Sequence, residues 1–234
     1  VGNAEILAGL VVNQLLEPGR PCIHNLGLAH TFDMRTAVAV TGGPENHLLA
    51  ALGAALGRFY NLPSCSWVST EAMVADAQAA LEKTTGFMTH LQNKVDVIWG
   101  VGQIESEMTL SPAQAVIDDE IIGYARRYLA GVDLSDESIA LDVTREVGIT
   151  GHFLDHAHTL DHFRAELFEP RILCRVRREP WTEAGGRDLT AAATERAETL
   201  MRSERREHVT AAQSRELRRI EARYLAEKGF HAPR

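Results

Sequence analysis

The spacing of apolar residues changes period several times along the chain, and each change marks an element. Residues 4–16 are apolar at helical spacing and stop at Pro18-Gly19. Residues 21–26, Pro-Cys-Ile-His-Asn-Leu, are short, partly apolar and bounded by Pro and Gly, which reads as a buried strand. Residues 31–43 read as a loop with a short strand at 37–40. Gly43-Pro44-Glu45 opens a helix, because proline at the first helical position forfeits no useful N–H and the glutamate faces the positive end of the dipole. Leu48, Leu49, Leu52, Ala55, Leu56 and Phe59 form its expected apolar stripe. A second strand follows at 64–68 and a helix at 76–92, with Ala80, Leu81, Thr84, Phe87, Met88 and Leu91 on one face. A third strand is expected at 95–101. Ser111-Pro112-Ala113-Gln114 starts the next helix, with Ser as cap and Gln reaching back as in a capping box. Val116, Ile117, Ile121, Ala125, Tyr128 and Leu129 are its apolar positions, and Gly131 ends it.

Strands that alternate with helices in this way imply a parallel sheet with helical crossovers. Beyond Leu134 the pattern is helical. Residues 188–228 carry interleaved charges of both signs, as a solvated helix or helix pair does. Arg205-Arg206 and Arg218-Arg219 within it are candidate partner contacts.

The 234 residues, 45% of them hydrophobic, suffice for one sizeable core with an appended segment. A net charge of -8 argues against nucleic acid or an anionic membrane as partner. No apolar run is long enough for a transmembrane helix, and the first residues lack the basic-then-apolar order of a signal peptide. Cys22, Cys65 and Cys174 form no CxxC pair, so neither a disulfide framework nor a cysteine-rich zinc site is expected, and a reducing, cytoplasmic setting fits.

In parallel α/β folds chemistry gathers at the C-terminal ends of strands. That rule selects His24, Asn25, Asp33 and Arg35 after the first strand, and Trp67, Ser69, Thr70 and Glu71 after the second. After the third it selects Gly100, Gly102, Gln103, Glu105 and Ser106. Gly100-Val101-Gly102 lacks the third glycine of a dinucleotide fingerprint and reads as a tight turn. Glu105 could oppose a cation, or simply make a salt bridge. Trp67 and Trp99 have faces that attract quaternary ammonium, although core packing is the commoner fate of a tryptophan. Asp33 and Arg35 could equally pair with each other and pin a loop. His152, His156 and His158, with Asp155, have a spacing that could chelate a metal, but no zinc signature surrounds them and helix capping accounts for them as well. No Gly-x-Ser-x-Gly elbow or catalytic cysteine pattern is present.

Several motifs then fall into a recognisable order. Phe32-Asp33-Met34-Arg35-Thr36 is followed by Gly43-Pro44-Glu45, then by Asp76-Ala77-Gln78 with Glu82-Lys83. Gly100-Val101-Gly102-Gln103-Ile104-Glu105-Ser106 runs on into Val116-Ile117-Asp118-Asp119-Glu120-Ile121. Ala140-Leu141-Asp142-Val143, Gly151-His152-Phe153-Leu154, His156-Ala157-His158-Thr159, Trp181 and Gly185-Gly186 complete the series. Together they resemble the trimethylamine methyltransferase family. The resemblance implies a TIM (β/α)8-type barrel, with residues 1–186 as its C-terminal part and 187–234 as a charged helical extension. It implies transfer of a methyl group from a quaternary or tertiary methylamine to the Co(I) of a separate corrinoid protein, with no cofactor or metal bound directly by this chain. Founding members carry pyrrolysine. Here Thr70-Glu71-Ala72-Met73 stands where Thr-Asp-small-Lys is expected, which moves the expected donor toward a quaternary, betaine-like amine. On this reading Glu105, His152 and His156 are candidate catalytic residues, and Asn25, Asp33, Arg35, Trp67, Trp99 and Gln103 candidate substrate contacts. A half barrel leaves open strand edges, so a homo-oligomer is expected. Two rivals stand beside this reading: a metal-dependent hydrolase or lyase using His152, His156 and His158, and a non-catalytic amine-binding fragment.

Overall fold

A computed structural model describes residues 1–27, 30–203 and 208–229. Arg205-Arg206 lies outside the described residues. Two compact units are present, Val1–Glu198 and Thr199–Arg234. The first begins with α1 (Gly2–Leu16), β1 (His24–Asn25), β2 (Thr31–Asp33), β3 (Val38–Val40), α2 (Pro44–Phe59), β4 (Ser64–Trp67), α3 (Ala77–Gln92) and β5 (Val97–Trp99). It continues through β6 (Gln103–Ile104), β7 (Thr109–Leu110), α4 (Pro112–Leu129), α5 (Asp136–Ile139), α6 (Leu141–Val147), α7 (Ala157–Glu166) and α8 (Arg178–Glu183) into α9 (Leu189–Arg202). The second unit holds α10 (Ala211–Glu227).

The expected parallel sheet is present, in the order β1-β4-β5. Its register pairs His24 with Ser64, Cys65 with Val97 and Trp67 with Trp99. The strand expected at 37–40 forms as β3 but pairs antiparallel with β2, so it belongs to a side hairpin. The turn of that hairpin is set locally: the Asp33 carboxylate accepts from the Arg35 N–H at 2.8 Å, and Ala37 takes φ 57°.

The buried face of α2 is other than the one the leucine pattern predicts, and those of α3 and α4 include unexpected polar positions beside expected apolar ones. In α2 the buried positions are Asn46, His47, Ala50, Gly53, Ala54 and Gly57. Leu48, Leu52 and Phe59 of the expected stripe are exposed, Phe59 at 79%. Both sets have helical period, and closeness decides between them. A Cβ on Gly57 would come 3.1 Å from Leu62 O and from Ser64 Cβ, so only small residues let the helix approach β4. In α3 the buried set is Ala79, Lys83, Gly86, Phe87 and His90; Phe87 agrees with the expectation and Leu81 is exposed. In α4 Ile117 and Ala125 are buried as expected, joined by Gln114, Asp118 and Glu120, while Tyr128 is exposed. Ser111 caps α4 by accepting from Gln114 N. The expected capping box does not close, because the Gln114 amide is buried and donates to Asp118 Oδ1 at 2.8 Å. Asp76 caps α3 through the N–H groups of Gln78 and Ala79.

Candidate functional site

Alternation along β4 divides the site. Ser64, Ser66 and Val68 face the helices: Ser66 Oγ lies 3.0 Å from His90 Nε2, and a Cβ on Gly86 would come 2.6 Å from Val68. Cys65 and Trp67 point to the opposite face. There Trp67 stacks on Trp99 of the adjacent strand, with ring centroids 5.4 Å apart and planes inclined by 18°. His30 stands edge-on to Trp67 at 5.5 Å. Gly27 passes so close that a Cβ on it would come 3.0 Å from the Trp67 ring. Trp67 is therefore only 5% exposed, and half-buried Trp99 carries the accessible area of the pair.

The turn after β5 is fixed from beneath by a buried ion pair. Lys83 Nζ lies 3.0 Å from Asp118 Oδ2, and neither side chain has any exposure. The ammonium also donates to the carbonyls of Gly100 at 2.8 Å and Val68 at 3.2 Å, which end β5 and β4. Asp118 Oδ2 accepts in addition from Gly102 N at 2.7 Å. Burial pulls the Lys83 ammonium down from its ordinary pKa, and Asp118 pulls it back. Gly100 has φ +102°, and a Cβ there would meet Val68 O at 2.3 Å. The tight turn expected at Gly100-Val101-Gly102 is thus present, and at Gly100 it presses against protein backbone.

From this turn the chain enters the β6–β7 hairpin, which pairs Gln103 with Leu110 and Ile104 with Thr109. Its tip holds three successive non-glycine residues in the left-handed region: Glu105 at φ 55°, Ser106 at 49° and Glu107 at 76°. Each such residue costs roughly 1–2 kcal/mol, so surrounding bonds must hold the tip in place. Glu105 N donates to Ala72 O and Ser106 N to Thr70 O, both at 2.9 Å, tying the tip to the loop after β4. The Glu105 carboxylate accepts from Thr109 Oγ1 at 2.6 Å within the same hairpin. Half-buried Glu107 has its carboxyl pushed up by burial, while His30 draws it down.

The other carboxylates after β4 hold backbone. Glu71 accepts from the N–H and hydroxyl of Thr41 and from Gly42 N at 2.9 Å. Glu82 accepts from Thr70 Oγ1, from Glu71 N at 3.0 Å and from Gln78 Nε2 at 3.0 Å.

The remaining sequence candidates separate into two groups. Gln103 lies next to the Gly100 turn with a buried Oε1 that has no partner, and Asn25 accepts from Gly27 N beneath Trp67. Both therefore belong to the aromatic end of the sheet. Asp33 and Arg35 pair with each other at the β2–β3 turn, where Arg35 is 88% exposed and holds the Asp33 carboxyl at about 2. They pin a loop, the plainer of their two readings. His152 is exposed with Nδ1 3.2 Å from Asp155. His156 caps α7 by accepting from His158 N, and His158 Nε2 lies 2.8 Å from Glu137 O. These contacts all fall within the helical segment after Asp133. Among the described residues no three His, Cys, Asp or Glu side chains converge to hold a metal. Nor is any helix among them long and apolar enough to cross a membrane.

Sequence reasoning passed over Lys83, Asp118, His30 and Glu107 as site residues. Lys83 and Asp118 lie off the apolar faces expected for α3 and α4, and only their burial, where each charge demands a partner, marks them. A cavity of about 360 Å³ between α3 and α4, lined by Ala80, Ile117, Ile121, Tyr124 and Leu173, shares no lining residue with the aromatic cluster.

Comparison with known proteins agrees with the motif order. The chain matches the family model described as trimethylamine methyltransferase (MTTB) over residues 1–229. It is 34% identical over 203 residues to the trimethylamine methyltransferase MttB of Desulfitobacterium hafniense (strain DSM 10664 / DCB-2), covering 85% of this chain and 40% of the relative. Against MttB of Methanosarcina barkeri (strain Fusaro / DSM 804) it is 33% identical over 204 residues, 86% of this chain and 40% of the relative. Against the glycine betaine methyltransferase of Desulfitobacterium hafniense (strain Y51) it is 33% identical over 183 residues, 77% of this chain and 38% of the relative. The chain thus spans about 40% of the length of the MttB relatives it matches. Motif order, parallel strands joined by helices, and a family match over nearly every residue together establish that this chain belongs to the trimethylamine methyltransferase (MTTB) family.

Proposed function

We propose that this chain forms part of the substrate site of a methyltransferase that passes a methyl group from a quaternary or tertiary methylamine to a corrinoid protein. In this reading the β1-β4-β5 sheet is a sector of a TIM (β/α)8-type barrel. Its site then lies at the C-terminal ends of the strands, where Trp67 and Trp99 end β4 and β5. The corrinoid on the partner protein supplies Co(I) as nucleophile. The carbon–nitrogen bond breaks with its electron pair staying on nitrogen, so a quaternary ammonium departs as a neutral amine and needs no base.

The side chains at the rim fit that division of labour, because none of them is poised to accept a methyl group itself. Burial pushes the Cys65 thiol up, against the pull of its hydrogen bond to Trp99, so it remains protonated at neutral pH. Ser66 is turned to the helix side against His90, and Lys83 is sealed in its ion pair. What the rim offers is an aromatic surface for a cation, worth roughly 0.5–2 kcal/mol, on a turn braced by the buried Lys83–Asp118 pair. Rigidity of that kind favours alignment of the methyl group with an external acceptor. Quaternary donors are the favoured class. At Thr70-Glu71-Ala72-Met73, Thr70 and Glu71 are occupied by Glu82, Thr41 and Gly42, and Met73 is exposed.

The stacked Trp67–Trp99 pair carries the proposal. Its test is methyl transfer from glycine betaine, tetramethylammonium and trimethylamine to a reduced corrinoid protein, followed by loss of the Co(I) absorbance. Trp99→Ala is expected to lower kcat/KM for the preferred donor by about tenfold. Unchanged kcat/KM in that variant, or no reaction of the native protein with any of the three donors, would count against the reading.

A further inference from the structure

We propose that Lys83 is the positioning residue of the Trp67–Trp99 pair: its buried ammonium holds the ends of β4 and β5 to one another and so sets how the two indoles stack. The inference rests on the functional reading above and deepens it.

The contacts form one short chain. Trp67 is followed by Val68, and Trp99 by Gly100. Val68 N donates to Trp99 O at 2.9 Å. Lys83 Nζ then donates to Val68 O at 3.2 Å and to Gly100 O at 2.8 Å. A single group on α3 thus joins the two backbones immediately past both tryptophans. Asp118 fixes that group at 3.0 Å and reaches on through the turn to Gly102 N at 2.7 Å.

The strand ends need such a tie. β4 has four residues and β5 three, and Trp67 and Trp99 pair at their last positions. The end of a short strand is where a ladder has fewest bonds and opens first. Here the chain leaves β5 at once through Gly100, at φ +102°. Adjacent strands are rotated against each other by about 20–25°, so a loose end would let the rings splay. They lie instead 5.4 Å apart with planes 18° from parallel.

Stability alone does not account for a lysine at this position. A fully buried ion pair is often matched or bettered by apolar residues of similar volume. What an apolar side chain cannot do is bind carbonyls of two strands at once. An ammonium has three donors, and each has an acceptor here: Val68 O, Gly100 O and Asp118 Oδ2. The indoles occupy the face of the sheet opposite the helices, so Lys83 acts on them through the backbone.

The test reads the stack itself. In the full chain with isotopically labelled tryptophan rings, stacking shields the Trp67 ring protons, and Trp99→Leu gives their unstacked positions by NMR. Lys83→Met is compared with Asp118→Asn, with the double variant and with Gly131→Ala. Asp118→Asn keeps the amine against both carbonyls, and Gly131→Ala is strained where a Cβ meets nothing within 4 Å. Lys83→Met and the double variant, which leaves no lone charge, are expected to move the Trp67 signals at least halfway to the unstacked positions. Both should weaken tetramethylammonium, by calorimetry, about fivefold. Asp118→Asn and Gly131→Ala should lose stability yet keep the native signals and bind within twofold of native. Unmoved signals in the folded Lys83 variants, equal movement in Asp118→Asn or Gly131→Ala, or moved signals with unchanged affinity would each overturn the proposal and leave the methyltransferase reading standing. A double variant that does not fold would overturn it too, because Lys83 would then hold the whole unit. If the native protein binds no tetramethylammonium, the functional reading falls, and the Trp67 signals still decide whether Lys83 sets the stack.

Discussion

Replacing Lys83 by methionine tests the foundation of the site directly. Methionine keeps the length and apolar bulk of the side chain but removes the ammonium. Asp118 then remains fully buried with Gly102 N and Gln114 as its donors, and the carbonyls of Val68 and Gly100 lose a shared one. Breaking a buried pair by deleting one partner costs about 3–5 kcal/mol, because the surviving charge is left uncompensated. For a chain of this size that lowers the thermal midpoint by on the order of 10 °C. Asp118→Asn alone strands the ammonium and should cost a similar amount. The double variant removes both charges, and its loss should fall well short of the sum of the two singles, giving a coupling energy of about 2 kcal/mol or more. Urea unfolding of the four proteins at neutral pH measures the free energies, and thermal unfolding the midpoints. Single losses below about 1 kcal/mol, or additivity within about 0.5 kcal/mol, would show that the pair does not hold the strand ends as argued.

Two further outcomes follow from the same region. Gly100→Ala should destabilise much more than Gly131→Ala. Both glycines have positive φ, but a Cβ at Gly100 would strike Val68 O at 2.3 Å, whereas Gly131 has nothing within 4 Å; the control should cost roughly 1–2 kcal/mol, and equal losses in chemical unfolding would contradict the close approach. His90 is buried, its Nδ1 2.7 Å from Gly86 O, so Nδ1 carries the proton and Ser66 donates to Nε2. Burial holds its pKa near 4 against an ordinary 6.5, with His47 adding to the shift and Gly86 O opposing it. Between those pH values the unfolded chain takes up a proton that the folded one refuses. Stability is therefore whole above about pH 6.5 and falls on acidification toward pH 4, by roughly 3 kcal/mol at about 1.4 kcal/mol per pH unit. His90→Gln should flatten the dependence of the midpoint on pH across that window, and an unchanged slope would remove the assignment.

The strands of the parallel sheet, β3, the helix starts of α2 to α4 and the strand-end positions were legible because period, proline and caps are local signals, whereas β2, β6 and β7 lie where no strand was expected. Parallel pairing followed from alternation, and the register then brought Trp67 opposite Trp99. The helix faces were misread because leucine advertises burial, while the sheet selected for closeness. Gly53, Ala54 and Gly57 pack where Leu48, Leu52 and Phe59 were expected to. The histidine cluster was prominent in sequence, but its rings are engaged separately, His152 with Asp155, His156 with the His158 N–H and His158 with Glu137 O.

The bonds from Ser106 to Thr70 and from Glu105 to Ala72 join two loops that arise from different strands. Loops that connect the elements of a fold are usually free to vary one by one. Here a change in either loop is felt by the other, so an insertion after β4 would displace the hairpin after β5 as well. Divergence at this end of the sheet is thereby channelled toward side-chain exchange on fixed segments and away from remodelling the two segments separately.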